Sequence, residues 1–272
     1  MTGRPPNIVH NNSWTSPYGS DMESKINRLL QDWPPHVVGT QRWLTSKGID
    51  YRLADKYVRS GWMKRLGHGA YIRAGSSVDW PGAVHALQTQ LGLDMHPGAI
   101  TAFELRGYAH YLALGGREVV LFARAKTKLP AWFNNHPWSQ PVRLVSSGIF
   151  TNDKDSVSMI KVEDVELAVA TLERAAFEMM TLVPKQQSFE EALQIMESLT
   201  SLRPRVVQRL LETCRSVKAK RLFMVAAERM NHPWLDELDL SQVDFGSGKR
   251  TIHPGGRLDK KYNLVVADTN HP

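Results

Sequence analysis

The 272 residues are 42% hydrophobic and 22% charged, proportions that belong to a folded chain and exclude wholesale disorder. No apolar run reaches the roughly 18 residues of a membrane helix, and the polar first twenty residues lack the apolar core of a secretory signal. The one cysteine, Cys214, excludes an internal disulfide, so a cytoplasmic protein with no membrane contact is expected, with residues 1–20 as a flexible leader.

The net charge of +7 is unevenly placed. Residues 40–73 hold eight Lys/Arg against two acids, residues 151–200 hold four against ten, and residues 201–222 hold seven against one. Two basic blocks flank an acidic one, which points to polyanion or acidic-partner contact at defined places.

The first helix is expected to open with a capping box at Ser20 and Glu23 and to bury Ile26, Leu29, Leu30 and Trp33 before Pro34-Pro35 stops it. A short second helix follows from a Thr40 cap to Gly48. A third opens at Asp50, buries Leu53, Ala54, Tyr57 and Val58, and ends at Ser60-Gly61. Beyond Gly61 the period shortens to that of a strand, Gly67-His68-Gly69 can reverse the chain, and residues 70–73 return as a second strand. Three short helices and a hairpin are the order of a winged helix-turn-helix.

The third helix carries the sharpest signal. Arg52, Lys56 and Arg59 fall at i, i+4 and i+7 and form one stripe, opposite the apolar one. A recognition helix needs that layout, because side chains must reach base edges while cations neutralise phosphates. Tyr51 and Arg52 occupy its first turn, and Lys64, Arg65 and His68 lie on or near the hairpin tip, where a wing meets the backbone of double-stranded DNA. Winged helices also serve as protein-interaction modules, and that reading stays open at this point.

Further along, Asp79-Trp80-Pro81 starts a helix ended by Gly92, and another is expected over 99–111. Strands are expected at 118–123 and 142–145, a polar surface loop at 151–158, and several helices over 165–229, with a second capping box at Ser188 and Glu191 and Pro204 in a first turn. Glu163, Asp164 and Glu166 read as a charged helix start. The tail alternates around His253-Pro254-Gly255-Gly256, as in a terminal hairpin. The fold class expected is helix-rich α+β: an N-terminal winged helix-turn-helix domain with additional helices over 21–115, then a mixed α/β domain over 116–272.

The second basic block supplies another candidate contact surface, Arg205, Arg209, Lys218 and Arg221, whose alternative is the wet side of two helices. Enzyme signatures are weak. Gly246-Ser247-Gly248-Lys249 lacks the earlier glycine and the following Ser/Thr of a phosphate loop. Ten scattered histidines show no zinc spacing, and Cys214 falls among apolar residues at helical spacing, as a buried side chain does. No catalytic residue, metal or cofactor is nominated.

The stretches "YVRSGWMKRLGHGAYIR", "DWPGAVHALQTQLGL", "TAFELRGYAHYLAL" and "KLPAWF", followed by "TLERAAFEMM", "VKAKRLFMVAAERMNHPWL" and "GSGKRTIHPGGRLDKKYNLVV", resemble the AbiEi-type antitoxins of type IV toxin–antitoxin systems over about Met22 to Ala267. The resemblance implies a bacterial autorepressor linked to phage defence by abortive infection. Its winged helix would bind promoter repeats, and its C-terminal domain would counter a nucleotidyltransferase-like toxin, with or without a stable complex. It places DNA contact on Arg52, Lys56, Arg59, Lys64 and Arg65, and a homo-oligomer on DNA is compatible with it. The rival is a DNA-acting enzyme, a nuclease or modifying protein, which a convergent acidic or histidine cluster in a C-terminal cleft would favour.

Overall fold

A computed structural model describes residues 17–108, 118–150 and 154–268. Residues 1–16 of the expected leader lie outside the described residues. Helix α1 (Pro17–Asp32) begins one residue triplet before the expected Ser20 cap, with a proline in a first turn that needs no amide there; the side chains of Ser20 and Glu23 lie outside the described residues. α1 is followed by β1 (Gly39–Thr40), α2 (Gln41–Ser46), α3 (Tyr51–Arg59), β2 (Met63–Gly67) and β3 (Ala70–Arg73).

The local chemistry that sets these limits is short-range. Thr40 Oγ1 accepts from the Trp43 amide at 3.3 Å, and Asp50 Oδ1 from the Leu53 amide at 2.8 Å, each satisfying a free N–H at a helix start. Gly61, at φ 76°, takes the left-handed turn that ends α3 and hands the chain to β2. β1, β3 and β2 form one antiparallel sheet in that order. Ile26, Leu29, Trp33, Leu44, Ile49, Ala54, Tyr57, Met63 and Tyr71 make a small core of their own. Buried Gln41 knits it, donating to Ile49 O at 3.1 Å and accepting from the Tyr71 hydroxyl at 3.1 Å. This is the winged helix-turn-helix arrangement expected.

The rest of the chain builds a second, larger core. It contains α4 (Trp80–Thr89), β4 (Met95–Pro97), α5 (Ala99–Leu105), β5 (Val119–Ala123), α6 (Ala131–Asn134), β6 (Val142–Ser146), β7 (Val157–Val162) and β8 (Val165–Ala170). It continues with α7 (Leu172–Leu182), α8 (Phe189–Glu197), α9 (Pro204–Thr213), α10 (Val217–Arg229) and three short strands, β9 (Arg250–Thr251), β10 (Arg257–Asp259) and β11 (Leu264–Val266). β4 runs antiparallel and β6 parallel to the fully buried β5. The β7–β8 hairpin approaches the β4 edge through Gln88, whose amide donates to Met95 O and Ala168 O at 2.9 Å each and accepts from the Ala168 amide at 3.0 Å. One side-chain amide thus stands in for a peptide between two sheets. α7, buried on nearly every side, is the central helix. Phe177 on α7 stacks on Phe223 of α10, centroids 4.1 Å apart. No helix among the described residues is long and apolar enough to cross a membrane.

Four expectations change. Residues 154–156 form a 3₁₀ turn and β7 starts at Val157, so the polar stretch becomes structure early; residues 151–153 lie outside the described residues. Residues 165–170 are a strand, because Val165, Leu167 and Val169 alternate inward, and Glu163-Asp164 is the hairpin turn, with Glu163 at φ 51°. The helix expected over 99–111 ends at Leu105, where Arg106 turns back to donate to Ala170 O and Val169 O at 2.7 and 3.1 Å; residues 109–111 lie outside the described residues. The terminal hairpin is β10–β11, nucleated by the Tyr262 amide on Asp259 Oδ1, while β9 lies parallel to β11 on its other side.

α4 and α5 share the larger core with β5, β8 and α7, and Val37, Val38 and Ala70 join it. A fragment ending at residue 115 is therefore expected to expose Leu87, Ile100 and Phe103, which are buried in the whole chain, and to aggregate or lose fixed packing. Size exclusion and near-UV circular dichroism check this; a monodisperse fragment with a native-like near-UV spectrum would contradict it.

A buried ion pair ties α7 to α9. Glu173 accepts from Arg203 Nε at 2.8 Å, Nη2 at 2.9 Å and the Arg203 amide at 3.0 Å. Burial alone would raise the Glu173 carboxyl, but these hydrogen bonds outweigh it and bring it from an ordinary 4.5 to about 2. A depressed carboxyl stabilises above its unfolded pKa, and the benefit is lost as pH falls through the folded one. The acid limb of stability between about pH 4.5 and 2 should accordingly carry about 2 kcal/mol from this pair, allowing for screening at the half-exposed Arg203. Glu173→Gln should flatten that limb in melting curves recorded across the range.

Candidate nucleic-acid interface

α3 presents its cations as the stripe implies. Arg52, Lys56 and Arg59 are exposed, on the side away from buried Ala54 and Tyr57. Tyr51, in the first turn, is 55% exposed. Among the described residues no ion pair engages Arg52, Lys56, Arg59 or Lys64. Lys64 and His68 are exposed on the hairpin and its tip.

Arg65 is held differently from the other cations. Its guanidinium forms an ion pair with Asp55 of α3 and lies 5.5 Å from the Tyr71 ring centroid, so it clamps the hairpin to the helix. Because successive strand residues face opposite sides of the pleat, Lys64, opposite Ile72, is on the other side from Arg65, opposite Tyr71. Near its tip the hairpin is packed against α6 at Gly67, where an added Cβ would lie 2.7 Å from the Cβ of Trp132.

Three more bases of this block have internal tasks: Arg42 donates to Leu91 O, Lys47 pairs with Asp32 at 2.6 Å, and Arg73 donates to Trp33 O at 2.7 Å. The free positive charge narrows to Arg52, Lys56, Arg59 and Lys64. Two neighbours carried no sequence signal. Trp62 is 42% exposed where α3 meets the hairpin, and Asp55, an acid on α3, pairs with Arg65. α3 therefore offers a polyanion one helical row of cations with Tyr51 in its first turn, and Trp62 and Lys64 are exposed on the segment that follows it.

In the second basic block two of the four candidate residues, Lys218 and Arg221, turn to internal carbonyls. Arg221 is buried, and its guanidinium donates to the carbonyls of Phe245 (2.9 Å), Gly246 (2.9 Å), Gly248 (2.8 Å) and Asn263 (3.2 Å). Lys218 Nζ donates to Thr181 O and Val183 O at 2.7 and 2.6 Å, satisfying the free carbonyl end of α7. Arg209 pairs with Asp155 at 2.8 Å. Of the four candidates only Arg205 is fully exposed. The reason is polarity: irregular backbone around 181–183 and 244–248 presents carbonyls, and these cations supply the missing donors. The Gly246–Gly248 turn thus points oxygens at a guanidinium, the reverse of a phosphate cradle.

Cys214 is buried, and burial pushes its thiol pKa up, which opposes a nucleophilic role. Among the described residues no group of three or more His, Cys, Asp or Glu converges to hold a metal.

Comparison with known proteins covers both cores. Residues 22–114 match a family described as the N-terminal domain of the AbiEi antitoxin transcriptional regulator. Residues 116–267 match one described as the AbiEi antitoxin transcriptional regulator of type IV toxin–antitoxin systems. No curated protein matches. The crystal structure of the RV2827C protein from Mycobacterium tuberculosis superposes with a TM-score of 0.61 at 16% identity, over 90% of this chain and 91% of that one; at that identity the likeness concerns the fold.

Proposed function

The chain belongs to the AbiEi antitoxin family, transcriptional regulators of type IV toxin–antitoxin systems, and from that premise we propose that it represses its own operon and counteracts a nucleotidyltransferase-like toxin without itself being an enzyme. In this reading α3 enters the major groove of operator DNA, with Arg52 near base edges and Lys56 and Arg59 on phosphates, while Lys64 and His68 lean on the adjoining backbone. Arg65 acts mainly by fixing the wing to α3. The observation that carries the reading is the row of exposed cations on α3 that makes no ion pair among the described residues, in a block where Arg42, Lys47, Arg65 and Arg73 are engaged.

The antitoxin role falls to the larger core. The enzymatic alternative would have to use His96 and Glu178, the acid–histidine pair of that core. Glu178 is fully buried, and both His96 and Arg174 hold its carboxyl down against burial, which would raise it. A carboxylate that accepts from Arg174 and His96 and is enclosed by protein is a poor general base, which favours the non-catalytic reading.

The test pairs a reporter fused to the chain's own promoter with growth in cells that express the neighbouring toxin gene. The whole chain should silence the reporter and restore growth. The combined Arg52→Ala, Lys56→Ala and Arg59→Ala variant should release the reporter yet still restore growth. Full repression by that variant would refute the role given to α3, and lost rescue at normal protein levels would refute the division of labour.

A further inference from the structure

The larger core contains an open cleft of about 790 Å³ on the side of the β4–β5–β6 sheet where the parallel strands β5 and β6 end. That volume suits a small ligand, and the carboxyl ends of parallel strands are where open α/β sheets bind one. Its floor is apolar, with Phe122 of β5 and Phe150 just beyond β6, and Met159 of β7 stands 54% exposed at its edge.

The polar wall is built from separate elements. Glu178 of α7 has no exposed surface and accepts from His96 Nε2 and from Arg174 Nε at 2.8 Å each. Arg174 also donates from Nη1 to Ser156 Oγ at 3.1 Å and lies 5.1 Å from the Phe150 ring centroid. Its Nη2 has no hydrogen bond among the described residues. His96 stacks on Phe122, planes 18° apart. Burying the Arg174–Glu178 ion pair is costly, and here it holds a guanidinium at the wall of a cleft. Two further guanidiniums line the same cleft: Arg124, at the end of β5, and Arg215, between α9 and α10. Asp94 answers Arg124 only at 3.8 Å, with both side chains more than 70% exposed, so little of that charge is neutralised.

We propose that this cleft binds a small organic oxyanion, its flat or apolar body lying against Phe122, Phe150 and Met159 and its anionic group meeting Arg174, Arg124 and Arg215. Three guanidiniums lining one partly apolar cleft, against the carboxylates of Asp94 and the already paired Glu178, fit a delocalised anion better than a cation or a neutral ligand. The site goes beyond the antitoxin and repressor roles. It also shares a helix with the winged module: Gln88 and Thr89 of α4 line the cleft, while Gln90 accepts from the Thr40 amide and donates to Val38 O at 2.8 Å each.

The test uses the full chain and a generic aromatic anion, 8-anilinonaphthalene-1-sulfonate, followed by fluorescence, with the uncharged N-phenyl-1-naphthylamine as comparator. Single-site saturation by the sulfonate and much weaker binding of the neutral dye are expected. The paired substitution Arg124→Glu and Arg215→Glu should weaken the sulfonate by about tenfold or more, because two charge-assisted contacts become repulsive. Lys64→Glu, on the wing, should leave it unchanged. Melting curves matching the parent for both variants assign the loss to the cleft. The proposal is overturned if the sulfonate fails to saturate, if the paired variant binds it as the parent does, or if the neutral dye binds as well.

Discussion

Alanine at Arg52, Lys56 and Arg59 together is expected to weaken binding to operator DNA by about 10²–10³-fold, with no change in melting temperature. Three contacts at about 1 kcal/mol each or slightly more, the lower end of what a base contact is worth, give that loss, and the three side chains lie on one exposed row that makes no internal ion pair among the described residues. The components should separate. Arg52→Ala should lose more affinity on operator than on random duplex, because it sits in the first turn of α3. Lys56→Ala and Arg59→Ala should lose similar amounts on both. Fluorescence anisotropy with both duplexes resolves the two patterns. Equal losses on operator and random DNA for Arg52→Ala would remove the base-reading role from that residue.

Arg221→Ala is expected to cost about 3–5 kcal/mol of stability, because a buried cation is lost and the carbonyls of Phe245, Gly246 and Gly248 lose its donors, while Asn263 O keeps the Arg250 amide. That corresponds to a fall in melting temperature on the order of 10 °C. Arg221→Lys should recover only part of it, since an ammonium has three donors where the guanidinium reaches four oxygens in a planar fan. Arg205→Ala, from the same basic block but exposed, should change stability by less than about 0.5 kcal/mol. Thermal unfolding of the three variants side by side makes the comparison. Equal small effects would return Arg221 to the surface role that its neighbourhood in sequence suggests.

These two expectations mark what was legible in the sequence. The winged module was readable because its determinants are local: caps at Thr40 and Asp50, a 3.6-residue apolar period in α3, a glycine at 61 and a change of period after it. The cationic row followed from the same periodicity. Where partners are distant in sequence, composition misled. Arg221 looks like Arg59 until the chain brings residues 245–263 around it, and Asp55 gains its meaning only from Arg65 across a turn. The stretch 165–170 resisted for another reason: six mostly apolar residues bounded by charges fit a short strand or a helix start equally well, and only pairing with β7 decides. The cleft was invisible because His96 and Glu178 stand 82 positions apart.

The salt dependence of operator affinity is the most direct test of α3 as the DNA-contacting element. Each phosphate neutralised contributes about −0.9 to the slope of log affinity against log salt. Relative to the unaltered chain, the Arg52, Lys56, Arg59 triple-alanine variant should therefore show a slope shallower by roughly 2 units, from the phosphate contacts of Lys56 and Arg59, together with its lower affinity. A variant whose slope and affinity both match those of the unaltered chain would contradict the assignment and move DNA contact to another face of the protein.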